Sequence, residues 1–340
     1  MTLRQQLRTV ALDQVVLRSI EWLEKPLIQG SAFSLVAGPK GVGKGTWIAG
    51  QAAKMSRGDF GRPRNVLIVS SEDSASIDLA PRLRAAGADL TRIRLVVDRF
   101  TLPVDLERLR ELAVEAGDVG LIVIDPLSNH IGGTDSDKEA AVRNAIGDLN
   151  GLADDLGCVV LGVRHITKNR QNGSVAAVLG STAWVDLPRA VLMVARDDED
   201  EMVFHVQVVA GNRSGHGDGR SYRIELRDVA DLAEPVTYAA ELGESHKDVD
   251  DLLVAPRRTS RSQSARDLIL DILENEGEQE SDTLDARVAR ETGVSAKTAQ
   301  NNRTDLRKAG LIKAVPDKDE HGTVLRWKVI RTSAPRKDSK

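Results

Sequence analysis

The fold is decided by the stretch Phe33-Ser-Leu-Val-Ala-Gly-Pro-Lys-Gly-Val-Gly-Lys-Gly-Thr46, in which a short apolar run leads into a glycine-rich turn and a helical segment. Glycines let backbone N–H groups curve around phosphate oxygens without Cβ clashes, and the helix N-terminus adds positive potential. This context is typical of a phosphate-binding loop, in which Lys44 reaches the β and γ phosphates of a nucleotide. The alternative is a strand–helix turn without a ligand. The predicted nucleotide-binding residues are Gly38, Pro39, Lys40, Gly41, Val42, Gly43, Lys44, Gly45 and Thr46.

The loop departs from the usual pattern at one position. Phosphate-binding loops usually place Ser or Thr directly after the lysine as a Mg²⁺ ligand, but here Gly45 takes that place and Thr46 follows. Adenylate kinases also carry Gly-Lys-Gly-Thr and still use Mg²⁺. We therefore expect a competent loop with Thr46 as a metal ligand, either directly or through water.

Two further apolar runs end beside carboxylates. The run from Leu121 ends at Asp125, where enzymes with this loop hold an aspartate beside Mg²⁺. The run Val66–Ser70 is followed by Glu72 and Asp73, and a carboxylate there can act as a general base on the attacking water. We expect Glu72 to be the base and Asp73 to be structural, the alternative being a cap on the next helix.

A histidine follows another predicted strand. The run Cys158–Val163 continues into Arg164 and His165. A polar side chain at this strand end can sense the γ-phosphate and transmit its loss to the loop that follows. The alternative is a hydrogen-bonded histidine at the sheet edge.

Composition sets the class of protein. The 340 residues are 41% hydrophobic and 29% charged, which fits a globular protein of about two domains. No apolar run approaches the roughly 18 residues of a membrane span, and Met1–Val10 lacks the apolar segment of a secretion signal. We therefore expect a cytoplasmic protein with no membrane partner. The single cysteine, Cys158, excludes an intrachain disulfide framework and any multi-cysteine metal site.

The pattern of apolar runs predicts the fold class. Near-continuous apolar strands that alternate with helices indicate an α/β fold, with a mostly parallel sheet covered by helices on both faces. The last two runs read as a hairpin added to that sheet. The predicted strands are Phe33–Ala37, Val66–Ser70, Leu121–Ile124, Cys158–Val163, Val191–Val194 and Val203–Val209, and the predicted helices between them are Thr46–Met55, Asp105–Ala116 and Glu139–Leu156.

These motifs, taken in order, resemble the RecA-like core of hexameric replicative helicases, and most closely the plasmid RepA-type ATPases of the AAA_25 family. The resemblance covers roughly Ile20–Leu226. It rests on Gly-Pro-Lys-Gly-Val-Gly-Lys-Gly, Ser-Ser-Glu-Asp, Ile-Val-Ile-Asp-Pro-Leu, Val-Arg-His-Ile-Thr-Lys and Gly-Ser-Thr-Ala-Trp-Val-Asp. It implies a RecA-like P-loop NTPase core, ATP and Mg²⁺ as cofactors, and a homo-oligomer, expected to be a hexamer, with nucleotide between subunits.

The resemblance also implies an arginine finger supplied by a neighbouring subunit, which neutralises transition-state charge. Arg189 lies where RepA-type proteins carry a finger, and Arg213 lies where DnaB-type helicases carry a Lys-x-Arg pair. The lysine of that pair is replaced here by Gly211, so this chain has only the arginine of the DnaB-type pair. Either arginine could instead be a surface residue paired with a carboxylate.

Two regions are candidates for DNA binding. In RecA-like motors the segment that begins at Lys168 and Arg170 faces a central pore and contacts single-stranded DNA; a surface loop is the alternative. Residues 257–340 carry 18 Lys+Arg and 14 Asp+Glu, a net charge of +4, within a chain whose net charge is −4. Three helices and a hairpin in this region resemble a winged helix-turn-helix, which can also serve as a protein-docking module. The residues expected to contact DNA on its second motif helix are Lys297, Thr298, Gln300, Asn301 and Arg303.

The residues themselves predict ATP binding and hydrolysis. The resemblance implies a motor acting on DNA, namely a hexameric replicative helicase of a plasmid, phage or mobile element. The alternatives are an ATP-switched DNA-binding regulator or loader without unwinding activity, and a small-molecule kinase, which Gly-Lys-Gly-Thr suggests. The predicted segments are an N-terminal helical lead-in at 1–30, a RecA-like ATPase domain at 31–240, a linker at 241–263, a winged-helix domain at 264–332 and a tail at 333–340.

Overall fold

The computed structural model describes residues 9–17, 19–132, 138–166, 181–211, 219–254, 261–319 and 324–332. Internal contacts divide the chain into two compact units, Met1–Ala255 and Pro256–Lys340. In the part of the chain that is described, no helix combines the length and the apolar character needed to cross a membrane.

The first unit is built on a nine-stranded sheet and a separate two-stranded ribbon, β1–β2. Its strands are β1 (Trp22–Glu24), β2 (Ile28–Gln29), β3 (Phe33–Gly38), β4 (Asn65–Ser70), β5 (Ile93–Val96), β6 (Val119–Asp125), β7 (Val159–His165), β8 (Ala190–Arg196), β9 (Val203–Gly211), β10 (Gly219–Arg227) and β11 (Val236–Glu244). Because most core strands are buried on both faces, they read as continuous apolar runs.

The order of strands in the large sheet is β11-β10-β9-β8-β3-β7-β6-β4-β5. The six strands from β8 to β5 are parallel to one another, and β9, β10 and β11 extend the sheet as antiparallel strands. The mostly parallel α/β sheet predicted from the sequence is therefore confirmed, as is the hairpin of β8 and β9. Strand β7 lies between β3 and β6, so it separates the strand of the glycine-rich loop from the strand of Asp125.

Helices cover both faces of this sheet. The helices of the first unit are α1 (Lys44–Arg57), α2 (Ala80–Ala85), α3 (Leu106–Ala116), α4 (Glu139–Ile146), α5 (Leu149–Leu156), α6 (Ala183–Asp186) and α7 (Val249–Val254), with 3-10 turns at Leu12–Gln14, Leu90–Arg92 and Leu127–His130 and a π-helical turn at Ala75–Leu79. One apolar cluster joins α3 to α7 to one face. A second cluster joins α1, α2 and β2 to the other.

Three parts of the first unit differ from the sequence predictions. Residues 9–30, apart from residue 18, contain a 3-10 turn and the ribbon β1–β2 where a helical lead-in was expected, because apolar side chains such as Leu12 and Leu17 remain exposed and give a helix no core to pack on. The helix predicted over Glu139–Leu156 is divided at Gly147 into α4 and α5. The segment predicted as a linker from residue 241 includes the end of β11 and α7, whose Val249 is buried.

The two edges of the large sheet differ in length. Strand β5 has four residues, whereas β11 has nine. The register of β11 shifts where Gly243 and Glu241 oppose Ser221 and Tyr222 of β10. Gly243 has a φ of 119°, which is left-handed and favours glycine at this irregularity.

The second unit packs three helices against a three-stranded sheet of order β12-β14-β13. Its elements are α8 (Arg261–Asn275), β12 (Gln279–Glu280), α9 (Ser281–Thr292), α10 (Ala296–Lys308), β13 (Ile312–Lys318) and β14 (Val324–Arg331). Helix α9 ends at Gly293, which has a φ of 70°, and the Ser295 hydroxyl accepts the Thr298 N–H to cap α10. These elements form their own apolar core.

Candidate active site

Four parallel strands end side by side and bring four of the six predicted catalytic residues, Lys44, Glu72, Asp125 and His165, to one edge of the sheet. Gly38 of β3 is in register with His165 of β7, and Asp125 of β6 is in register with Ser70 of β4. Because strand order places β7 and β6 between β3 and β4, the glycine-rich loop, His165, Asp125 and the Glu72 segment follow one another along this edge. The carboxyl edge of a parallel sheet is where α/β proteins bind ligands.

Two glycines of the loop are required by its backbone. A Cβ on Gly38 would lie 2.5 Å from the carbonyl oxygen of Val194, so no larger residue fits between β3 and β8. Gly43, directly before α1, has a φ of 99°, which places it in the left-handed region. The sequence therefore folds into a tight turn whose N–H groups precede a helix N-terminus.

The Lys44 side chain turns back over the loop. Its amine donates hydrogen bonds of 2.8 Å to the carbonyl oxygens of Gly38 and Pro39, and the residue is only 4% exposed. Burial lowers the pKa of Lys44 to about 8, although the carboxylates of Asp125 and Glu72 act to raise it. The lysine is thus held at the centre of the loop and in the field of both acids.

The Asp125 carboxyl group lies in an acidic, mostly buried environment. Burial is the main cause that raises its pKa to about 6; the charges of Asp73 and Glu72 raise it further, and Lys44 opposes them. A divalent cation would relieve this crowding of carboxylates. Within the described ranges, no group of three or more His, Cys, Asp or Glu forms a metal cage made of protein alone, but Mg²⁺ needs only one or two carboxylates beside nucleotide phosphates. Asp125 therefore fits a Mg²⁺–nucleotide site.

Glu72 is approached from both sides by polar side chains. Its Oε2 lies 3.4 Å from His165 Nε2, and its Oε1 lies 3.5 Å from Asn129 Nδ2, which also donates to the Ser71 hydroxyl at 3.2 Å. A carboxylate that acts as a general base must be able to reach water. The partly exposed Glu72 side chain, held between an amide and an imidazole, is suited to that chemistry.

The charge of His165 is controlled by its surroundings. Burial and the positive charge of Lys44 lower the pKa of His165, although Glu72 acts to raise it. The imidazole is therefore neutral at pH 7, and it can donate one hydrogen bond and accept another. A neutral donor at this position can respond to a phosphate without repelling Lys44.

Asp73 has a partner that Glu72 lacks. Its carboxylate receives Arg82 Nη1 at 2.6 Å, and both side chains are partly buried. The same Arg82 nitrogen lies 3.2 Å from the place where a Cβ on Gly45 would be. The glycine that departs from the usual loop pattern therefore leaves room for this ion pair, and Asp73 is held away from a role as free base.

Arg189 lies at the opposite end of the sheet from its own loop. Its backbone N–H donates to the carbonyl oxygen of Phe33 at the start of β3, and the next residue, Ala190, is in register with Ser34. The loop begins after Gly38, about five residues or roughly 17 Å further along β3. The exposed Arg189 side chain cannot span that distance to reach phosphates in its own chain.

Three predicted site residues lie outside the described part of the chain. These are Lys168, Arg170 and Arg213. Their predicted roles stay predictions.

The second unit separates the five residues that were expected to contact DNA. Lys297, Gln300 and Asn301 are exposed on one side of α10, whereas Thr298 takes part in the cap. Arg303 instead makes two hydrogen bonds of 2.8 Å to Asp285, and both side chains are largely buried. The reason is helical spacing, which turns Arg303 towards α9 while it leaves residues 297, 300 and 301 facing outwards.

Sequence reasoning missed three residues close to the site, namely Arg82, Asn129 and Arg196. Arg82 and Asn129 contact the segment that carries Asp73 and Glu72. Arg196 ends β8 and donates to the Gly41 carbonyl oxygen at 2.7 Å. A cation at the carboxyl end of a strand is a usable signal only when the strand is known to lie beside β3, and strand order is not visible in the sequence.

Comparison with known proteins identifies a family for the part of the chain that carries the loop. The family model AAA_25, an AAA domain, matches residues 2–171, which is half of the chain. One similar solved structure is that of a DnaB-like replicative helicase, described together with its interactions with primase. It is 15% identical to this chain with a TM-score of 0.47, and the match covers 57% of this chain and 55% of that one. A second solved structure, an ATPase domain, is 14% identical with a TM-score of 0.46, covering 57% of this chain and 81% of that one. The chain thus spans little more than half the length of that replicative helicase.

Proposed function

Since the chain belongs to the AAA_25 family of AAA domains, we propose that it is an ATP-hydrolysing motor that acts on DNA. The observation that carries the proposal is the meeting of Lys44, Glu72, Asp125 and His165 at one sheet edge, around a glycine-rich loop. Each of these side chains has a role in phosphoryl transfer to water.

The chain's own residues divide the reaction between them. The N–H groups of the loop and the Lys44 amine bind the β and γ phosphates and offset their charge. Glu72 accepts a proton from the attacking water, with its carboxylate oriented by Asn129 and His165. His165, neutral at pH 7, donates to the γ-phosphate and changes partner when that phosphate leaves.

Mg²⁺ would be held by Asp125, with Thr46 as its nearest loop hydroxyl in the sequence. When bound, the ion neutralises phosphate charge. Asp125 must be ionised for this role, which the cation favours because it offsets the neighbouring carboxylates that raise the pKa of Asp125.

The motor acts as a homo-oligomer, most simply a hexamer, in which each site receives an arginine from a neighbour. The position of Arg189, too far from its own loop, supports a role in trans. An arginine is long and permanently charged, so it can cross an interface to a γ-phosphate. Arg213 is the second candidate for this role.

DNA is proposed to bind at two places, a pore segment with Lys168 and Arg170 and a winged helix in the second unit. The exposed side of α10, with Lys297, Gln300 and Asn301, supports the second. We propose that the protein serves the replication of a plasmid, phage or other mobile element in the cytoplasm.

The decisive experiment measures ATP turnover with and without single-stranded DNA, together with the displacement of a labelled strand and the mass of the assembly. Lys44→Ala should abolish nucleotide binding or turnover. Its matched control is Lys54→Ala on the same helix, where the lysine pairs with Glu241 at the surface. Lys54→Ala should keep wild-type activity.

The outcomes separate the candidate functions. ATPase activity stimulated by single-stranded DNA, with strand displacement, supports the motor. ATP-dependent DNA occupancy without displacement would leave a regulator or loader. Unchanged ATPase activity in Lys44→Ala would contradict the assignment of the loop itself.

A further inference from the structure

Arg196 contacts the glycine-rich loop from the neighbouring strand. It is the last residue of β8, and its Nη2 donates to the Gly41 carbonyl oxygen at 2.7 Å. Gly41 has a φ of 80°, so the loop changes direction at this residue. Among the described residues, Arg196 forms no ion pair with a carboxylate, and its charge therefore stays close to the loop.

The direction of this hydrogen bond also fixes the orientation of the next backbone N–H, that of Val42. A peptide unit is planar and trans, so its C=O and the following N–H point in opposite directions. With the Gly41 carbonyl held towards Arg196, the N–H of Val42 faces the other way. In the described ranges this N–H has no acceptor in the protein, and it precedes the N-terminus of α1 by two residues.

A buried polar cluster holds the end of β8 in place. Asp197, next to Arg196, is only 7% exposed in its side chain and receives His205 Nε2 at 2.7 Å and Lys247 Nζ at 2.9 Å. The N–H groups of Glu199 and Asp200 also donate to it. Burial acts to raise the pKa of Asp197, but these hydrogen bonds outweigh it and hold the pKa far below its usual value.

The cluster also reaches the segment after β11. His205, itself buried, places Nδ1 2.7 Å from the Ser245 hydroxyl. Lys247 makes a further contact of 2.7 Å with Asp198. Because strand end, hairpin and this segment are bound together, Arg196 has a rigid base from which to direct its guanidinium.

We propose that Arg196 is a positioning residue of the phosphate-binding loop in its own chain, which orients the Gly41–Val42 peptide so that the Val42 N–H meets a nucleotide phosphate. This rests on the proposed function, in which the loop binds a nucleoside triphosphate. It assigns Arg196 a role different from the finger role of Arg189, because Arg196 acts within one chain and before the chemical step.

The test compares Arg196→Ala and Arg196→Lys with the wild type by equilibrium binding of a fluorescent ATP analogue and by steady-state turnover. Losing one charged hydrogen bond should weaken nucleotide binding about tenfold. The Michaelis constant should rise by a similar factor while kcat changes less than about threefold, because the loop contacts ground and transition states alike. Arg196→Lys should recover most of the affinity, since lysine can also donate to Gly41.

The matched control is Arg223→Ala, which removes a surface arginine paired with Asp200 at 2.8 Å. It should bind the analogue as the wild type does. Unchanged affinity in Arg196→Ala, or a loss of kcat with unchanged affinity, would overturn the positioning role. If Arg196→Ala does not fold, Arg196→Lys and Arg196→Met decide, because methionine has no N–H to donate and only the lysine should retain near-normal affinity. A wild-type protein that binds no analogue would instead refute the proposed function.

Discussion

Glu72 and His165 meet across the end of the strand that carries Asp125. They belong to chain segments that follow β4 and end β7, which are separated in the sheet by β6, yet their Oε2 and Nε2 atoms lie 3.4 Å apart. The general-base candidate and the phosphate-sensor candidate are therefore in direct contact. A change in the hydrogen bonding of one side chain can therefore alter that of the other without any movement of the sheet.

Replacing Glu72 by Gln should leave ATP binding intact and slow hydrolysis at least about a hundredfold, because the amide cannot accept the proton of the attacking water. Asp73→Asn should be much less harmful to the chemical step, since Asp73 is occupied by Arg82. Single-turnover hydrolysis and analogue binding measure the two effects. Glu111→Gln on the surface of α3 is the matched control. A large loss in Asp73→Asn alone would move the base by one residue.

Asp125→Asn should stabilise the nucleotide-free protein at pH 7.5 and not at pH 4. Burial and nearby carboxylates raise the pKa of Asp125 to about 6, so the folded state favours the protonated acid. The contribution of the protonated Asp125 to the free energy of unfolding is fully present below the ordinary pKa of 3.8, and it is lost as pH rises through about 6. A rise of this size corresponds to about 3 kcal/mol.

Thermal melting at the two pH values measures this difference. The variant should melt several degrees higher than the wild type at pH 7.5, and Mg²⁺ with ATP should stabilise the wild type but not Asp125→Asn. Equal melting temperatures at both pH values would show that the carboxyl group is not under electrostatic stress.

Arg189→Ala should bind ATP but fail to hydrolyse it in a homogeneous assembly, because each site lacks the guanidinium of a neighbour. Mixing it with Lys44→Ala protein, itself inactive, should restore part of the turnover, since the Lys44→Ala subunit still donates an arginine to the intact loop next to it. Arg108→Ala, at an exposed site on α3, should be fully active alone. If mixed assemblies form and remain inactive, Arg189 does not act in trans.

Lys297→Ala and Gln300→Ala should weaken duplex DNA binding by roughly tenfold while the second unit stays folded, because both side chains are exposed on α10. Arg303→Ala should instead destabilise this unit by about 3–5 kcal/mol, since it leaves the carboxylate of Asp285 buried without its partner. Titration of a labelled duplex at two salt concentrations, beside chemical denaturation, separates the effects. If Arg303→Ala instead loses as much DNA affinity as Lys297→Ala and loses no stability, Arg303 contacts DNA.

The loop, the parallel strands and the acids at their ends could be predicted from the sequence because each depends on local chemistry. A buried strand reads as an apolar run, and Gly43 and Lys44 at their spacing are typical of a single kind of loop. Asp125 and Glu72 could then be placed at the carboxyl edge, since parallel strands share it. What remained hidden was the order of the strands, which depends on contacts between distant parts of the chain.

Strands β10 and β11 were missed for a different reason. They lie at the margin of the sheet, where Tyr222 and Ile224 alternate with polar residues. Such alternation is a strand signal, but it is weaker than a continuous apolar run. The pairing of Arg303 with Asp285 was not foreseen, because residue type alone does not show which side of α10 faces α9.

The irregular end of β11 affects how copies of this protein can associate without aggregating. An exposed edge strand offers unpaired N–H and C=O groups to any second chain, and long flat edges promote aggregation. Here the nine-residue edge is interrupted at Gly243, where its register against β10 shifts. The opposite edge, β5, offers only four residues. The two edges of the sheet thus disfavour strand-to-strand pairing between copies. Copies would then associate through side-chain contacts, which are reversible.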